Sequence, residues 1–148
     1  MTLEQWMKNG WLSSHKTSPQ EIGNLLAIVE RDLADASEER ISPDWQFGIA
    51  YNAALKLCTI LLYASGYRAT RVSHHYYTIK TLPLILGEAY KRDAEYLDVC
   101  RSKRNIAEYD YVGSVTEDDV QELLSFVKVL KKEVIQWLRR HHPELIEG

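Results

Sequence analysis

The stretch from Ser42 to Gly66 leaves this chain few folds to choose from. Ser42 can cap a helix, Pro43 suits the first helical position, and Gly66 stops the run. Between them Trp45, Ile49, Ala50, Ala53, Ala54, Leu57, Cys58, Leu61 and Ala64 are expected to face inward. This is the most apolar helix of the chain, and Ala50, Ala53 and Ala54 would let a neighbouring helix come close. Its apolar-rich part, residues 49–64, is broken by Asn52 and Lys56 and is too short to span a bilayer. It is expected at the centre of a helical bundle.

The remaining segments repeat the pattern. Residues 2–12 read as a short helix with Leu3, Trp6 and Met7 on one side, followed by a polar loop from Ser13 to Thr17. Ser18, Pro19 and Glu21 spell a capped start with a capping box, and Ile22, Leu25, Leu26, Val29 and Leu33 recur at helical spacing. After a basic connector with Arg68 and Arg71, Ser73 can cap a shorter helix through His74 to Tyr77, which Pro83 breaks or kinks. The chain recovers at Leu84 and runs through Tyr90, Tyr96 and Leu97. Thr116 then caps a last helix with an acidic first turn, an apolar stripe from Val120 to Leu138, and a basic end at Arg139 to His142. No strand alternation is visible. The expectation is an all-α, up-and-down bundle of five or six helices: one domain over residues 1–148, with 1–17 peripheral and 143–148 a tail.

Charge narrows the function. A formal net charge of −3 gives no global drive toward nucleic acid, so any phosphate binding must come from a local basic patch. Cys58 and Cys100 fall on apolar stripes without metal-type spacing and read as buried free thiols in a reducing compartment. The N-terminus has neither the basic start nor the apolar run of a signal peptide, and a cytoplasmic location is expected. No glycine-rich phosphate loop, nucleophile elbow or zinc spacing is present, and no cofactor is expected.

The local basic patch lies in Cys100-Arg101-Ser102-Lys103-Arg104-Asn105-Ile106-Ala107-Glu108-Tyr109-Asp110-Tyr111. Asp93, Tyr96, Leu97, Cys100, Arg104 and Ala107 share one helical stripe, so a permanent cation continues an apolar face. Such a guanidinium needs a partner or an open cleft. Asn105 and Tyr109 would lie beside it if the helix continues that far. A solvated helix end explains the same residues, since cations near a C-terminus are favourable anyway. His74-His75 is a second candidate, because an imidazole titrates near neutrality. Adjacent helical residues diverge by about 100°, so one ring at most is expected in a given cleft. Asp93, Glu95 and Asp98 read as partners of Lys91, Arg92 and Arg101, and the tyrosines as core or boundary residues.

Taken in order, Ala50-Tyr51-Asn52-Ala53-Ala54-Leu55, Ala64-Ser65-Gly66-Tyr67-Arg68, His74-His75 and Arg101-Ser102-Lys103-Arg104-Asn105 with Tyr109-Asp110 give the chain a family likeness. Over about residues 18–140 it resembles the HEPN superfamily, small helical bundles of toxin–antitoxin, abortive-infection and RNA-processing systems. The resemblance implies a four-helix core with an extra N-terminal helix, and a homodimer that juxtaposes a polar motif across a shared cleft. In active members that motif is an arginine, a polar companion and a histidine a few residues on, supporting metal-independent RNA cleavage. Carried over, Arg104 matches the arginine and Asn105 its companion, while Tyr109 stands in the histidine's place. Tyr111 matches the tyrosine that a nucleotidyltransferase antitoxin modifies with AMP in some toxins, so such an antitoxin is an implied partner.

Cleavage through the 2′-hydroxyl needs a proton acceptor, a proton donor and positive charge on the phosphate. Arg104 can supply the charge, with Arg101, Lys103 and Arg68 in support. A phenol ionises at about pH 10 and is a poor base at neutrality, whereas losing a proton-transfer group costs on the order of 10²–10⁴ in rate. These residues leave three readings: binding of RNA or a nucleotide with little turnover, a ribonuclease using Arg104 and Asn105 with Tyr109 or His75 in the missing histidine's role, or a non-catalytic interaction module.

Overall fold

Four polar side chains, each just ahead of a helix, set where the chain begins to coil. Thr2, Ser18, Ser42 and Thr116 each accept a hydrogen bond from the backbone three residues on. The computed structural model describes residues 1–110 and 112–146; Tyr111, Glu147, Gly148 and the Asp110 side chain lie outside the described residues. The elements are α1 (Leu3–Lys8), β1 (Leu12–Ser14), α2 (Pro19–Ala36), α3 (Pro43–Ala64), β2 (Tyr67–Ala69), α4 (His74–Lys80), α5 (Leu82–Leu86), α6 (Lys91–Asn105) and α7 (Glu117–His141). Short 3₁₀ turns cover Glu88–Tyr90 and Pro143–Leu145, and a π turn covers Ile106–Asp110. If α4 and α5 are taken as one helix interrupted at Thr81, the described residues form six. The architecture is an all-α bundle.

The caps differ in detail from the expected ones. At α7, Asp119 N–H donates to Thr116 Oγ1 at 3.1 Å and Thr116 N–H to Asp119 Oδ2 at 2.9 Å, a complete capping box. At α2 only half of the box forms. Glu21 N–H donates to Ser18 Oγ at 3.1 Å, but the Glu21 carboxylate accepts from Thr17 Oγ1 and lies against His15 Nε2, both at 2.7 Å. Ser73 does not cap α4; it sits in the left-handed region at φ 54° with no side-chain cap bond.

Helix α3 lies at the centre. It packs most extensively against α2 and α7 and meets α4, α5 and α6 as well. Phe47, Ala50, Tyr51, Ala54, Leu57, Cys58, Leu61 and Leu62 are buried all round it. It is long and apolar enough to cross a membrane, but its apolar surface is covered by protein, which makes it a core helix. Ala50, Ala53 and Ala54 are fully covered, and two polar links fix α2 alongside. Gln46 Nε2 donates to Ala36 O at 3.0 Å, and Asn52 Nδ2 donates to Asp32 Oδ2 at 2.6 Å. The other oxygen of this buried Asp32 takes two bonds from Arg31 at 3.1 Å. A buried carboxylate is tolerated only when paired in this way.

Two sequence expectations fail here. Trp45 is 63 % exposed, while its neighbours Gln46 and Phe47 are buried, so the inward face of the first turn of α3 does not include it. The supposed loop after α1 contains β1, which pairs antiparallel with β2 in the register Leu12↔Ala69, Ser13↔Arg68, Ser14↔Tyr67. Three residues per strand carry too little alternation to be read from sequence. Leu12 and Ala69 of this ribbon join Leu62 in a small side cluster, against which α1 lays Leu3, Trp6 and Met7.

Candidate functional site

The apolar stripe of α6 runs as expected through the buried Leu97 and Cys100, with the buried Ala107 following in the π turn, and Arg104 interrupts it where α6 faces α3 and α4. Burial pushes the Cys100 thiol up to about 11 and Cys58 up to about 12, so both stay protonated. Beside this stripe, between the first turn of α4 and the end of α6, an open cleft of about 460 Å³ is lined by Ser73, His74, His75, Tyr76, Arg101 and Asn105. Both histidines line it, contrary to the expectation of one at most. The cleft wraps the first turn of α4, so residues about 100° apart both border it.

Behind the cleft, Arg104 is held on three sides. Its Nη1 donates to Asn105 Oδ1 at 3.1 Å, its Nε lies 3.3 Å from Glu108 Oε1, and its guanidinium stands 5.8 Å from the Tyr51 ring centre. The Glu108 contact is an ion pair without hydrogen-bond alignment, which leaves the buried Nε–H unsatisfied. Arg101 donates through Nε to Asp98 Oδ1 at 2.9 Å and sits 5.9 Å from the Tyr76 ring centre. Lys56, on α3, is close enough to act on both histidines. Three cations face two carboxylates, so one positive charge is in excess.

His75 Nδ1 is 3.2 Å from the Tyr51 hydroxyl. Loss of hydration, followed by His74, Arg104, Lys56 and Arg101, lowers its pKa from 6.5 to about 4. Loss of hydration and Lys56 lower His74 as well. Burial raises the Tyr51 phenol far above the ordinary range, so its proton stays on and is best satisfied by donating to His75 Nδ1. His75 is then neutral with its proton on Nε2, a hydrogen-bond donor rather than an acceptor. At the mouth, Ser73 holds a left-handed conformation, which costs a non-glycine residue about 1–3 kcal/mol.

Of the sequence candidates, the structure brings Arg101, Asn105 and His75 into one cleft, with Arg104 directly behind them. The others lie elsewhere. Lys103 Nζ pairs with Asp119 Oδ2 of α7 at 2.9 Å. Arg68, on β2, reaches Ser13 Oγ at 3.4 Å. Tyr109 is 75 % exposed and lines a different cavity of about 420 Å³ with Asp44, Trp45, Glu108 and Val112. It stands on the π turn that follows Asn105 and is not among the residues lining the α4–α6 cleft. Tyr111 lies outside the described residues. Tyr51, Lys56, Tyr76 and Glu108 do not stand out in the sequence. The Arg104–Glu108 spacing of four residues is a usable signal for the last; the others depend on helices meeting in space. Among the described residues no group of three or more His, Cys, Asp or Glu side chains could hold a metal ion.

Comparison with protein-family models, curated proteins and solved structures finds no match to this chain.

Proposed function

We propose that the chain is a HEPN-type protein that binds RNA or a nucleotide by its phosphate in the cleft between α4 and α6. In this reading it works in the cytoplasm as a homodimer of a toxin–antitoxin or defence-like system, with a nucleotidyltransferase-type antitoxin as a candidate partner. The observation that carries the binding is the convergence of Arg101, Asn105 and the His75 N–H donor on one open cleft backed by Arg104. A guanidinium, an amide and a neutral imidazole N–H together suit a phosphate's oxygens. The test is binding of 5′-AMP and of a short single-stranded RNA to the native chain and to Arg101→Ala. Affinity should fall with rising salt and drop at least about tenfold in the variant. Equal binding by the variant, or salt-independent binding, rejects the proposal.

A ribonuclease reading is favoured by one fact, that His75 shares the cleft with Arg101 and Asn105. Its lowered pKa and its bond to Tyr51 make it a weak proton acceptor, which is why binding is preferred. Metal-independent cleavage in EDTA, lost in His75→Ala and in Arg104→Ala, would establish the enzyme; intact RNA after prolonged incubation excludes it. The exposed Trp45, Tyr109 and Val112 favour a protein partner instead. That module predicts weaker assembly and unchanged RNA affinity in Arg104→Ala.

A further inference from the structure

We infer that the cavity on the far side of Tyr76 from the cleft is a subsite for a nucleobase. The inference rests on the phosphate reading of the cleft and extends it. Tyr76 borders both spaces: the cleft with His75, Arg101 and Asn105, and a cavity of about 280 Å³ whose lining includes Trp6, Lys80, Pro83, Leu84 and Ala94. The two spaces differ in chemistry. The first carries the excess positive charge of Arg101, Arg104 and Lys56 over Asp98 and Glu108. The second sets two lysines, Lys80 and Lys91, against two carboxylates, Glu88 and Glu95, around aromatic and aliphatic walls. A charge-balanced pocket with apolar walls and polar edges suits a planar, uncharged heterocycle better than a phosphate.

Tyr76 supplies the shared wall. Its ring is partly exposed, with Arg101 5.9 Å from the ring centre and Lys80 5.7 Å from it. A base laid against this ring would therefore sit next to the cation that holds its own phosphate. Trp6 adds an indole to the lining of the second cavity, opposite in character to the charged first one. The ligand chemistry is a base joined to a phosphorylated ribose, whether free or in a strand.

The experiment compares 5′-AMP with ribose 5-phosphate, and a trinucleotide RNA with its abasic counterpart, by calorimetry. Base stacking on an aromatic side chain typically brings the base-bearing ligand an advantage of about tenfold. The native chain should show it. Tyr76→Ala should bring the affinity ratio close to one, and Tyr76→Phe should keep it. Glu95→Trp, an exposed position on α6 at the rim of the second cavity, should abolish the ratio while ribose 5-phosphate still binds. A base effect only in the RNA pair assigns the base to a strand, and one in the AMP pair to a free nucleotide. Equal binding within both pairs overturns the subsite and leaves the phosphate cleft standing. Absence of all binding overturns both.

Discussion

His75 gives the sharpest handle on the cleft. In the folded chain its pKa is about 4, against an ordinary 6.5. Between those values the unfolded chain holds a proton that the folded chain lacks, so folding stability is lost as pH falls through that window and is unaffected above it. The limiting slope is about 1.4 kcal/mol per pH unit. From about pH 7 to about pH 5 that would amount to roughly 2 kcal/mol, and the partial solvent contact of His75 reduces it to about 1 kcal/mol. Two measurements check this. The imidazole carbon-bound proton signal should titrate with a midpoint near 4. Urea unfolding at the two pH values should show the native chain losing about 1 kcal/mol more than His75→Gln, the variant retaining the smaller contribution of His74. A midpoint of about 6 or above, or identical pH dependence in the two proteins, would show that the cleft neither strips water from His75 nor surrounds it with positive charge.

Other consequences are simpler. At Gly48, inside α3, an added Cβ would meet Glu108 Oε1 at 3.3 Å, the flexible end of a side chain. Gly48→Ala should therefore stabilise the chain by somewhat under about 1 kcal/mol in thermal unfolding; a loss of more than about 2 kcal/mol would mean that the π turn is locked against α3. Asn52→Leu strips a buried Asp32 oxygen of its partner and should cost about 2 kcal/mol, with a neutral result refuting the clamp between α2 and α3. Cys58 and Cys100 should alkylate with iodoacetamide at about pH 8 only as fast as the chain opens, and rapid reaction while folded would contradict their burial.

The part of the fold legible in the sequence is the part governed by local rules. Ser42-Pro43 and Ser18-Pro19 mark real helix starts, because a capping hydroxyl and a proline act within one turn. The stripe Leu97, Cys100, Arg104 holds because α6 keeps helical pitch through Asn105. Beyond Asn105 the chain passes into a π turn, and Tyr109 on that turn lines a cavity other than the α4–α6 cleft, which the sequence pattern does not reveal. Glu21 illustrates a second limit. It has the spacing for a capping box, but His15 and Thr17, brought near by the ribbon and its loop, take the carboxylate. The candidate site is half legible. Arg101, Arg104 and Asn105 stand out as a charge cluster, and the His74-His75 pair as an oddity, yet only the packing of α4 against α6 joins them. Nor does spacing along one helix reveal that Tyr51 of α3 meets His75 of α4.

The central claim, that the α4–α6 cleft receives a phosphate, is tested most directly by following the His74 and His75 imidazole signals while 5′-AMP or a short single-stranded RNA is added. Loss of hydration holds the His75 pKa down first, and His74, Arg104, Lys56 and Arg101 add to it; an anion entering the cleft offsets the charge of those cations. Both signals should shift and saturate with the ligand, and the His75 midpoint should rise from about 4 by at least about one pH unit. Binding detected by calorimetry with both histidine signals unmoved would place the ligand elsewhere and contradict the account.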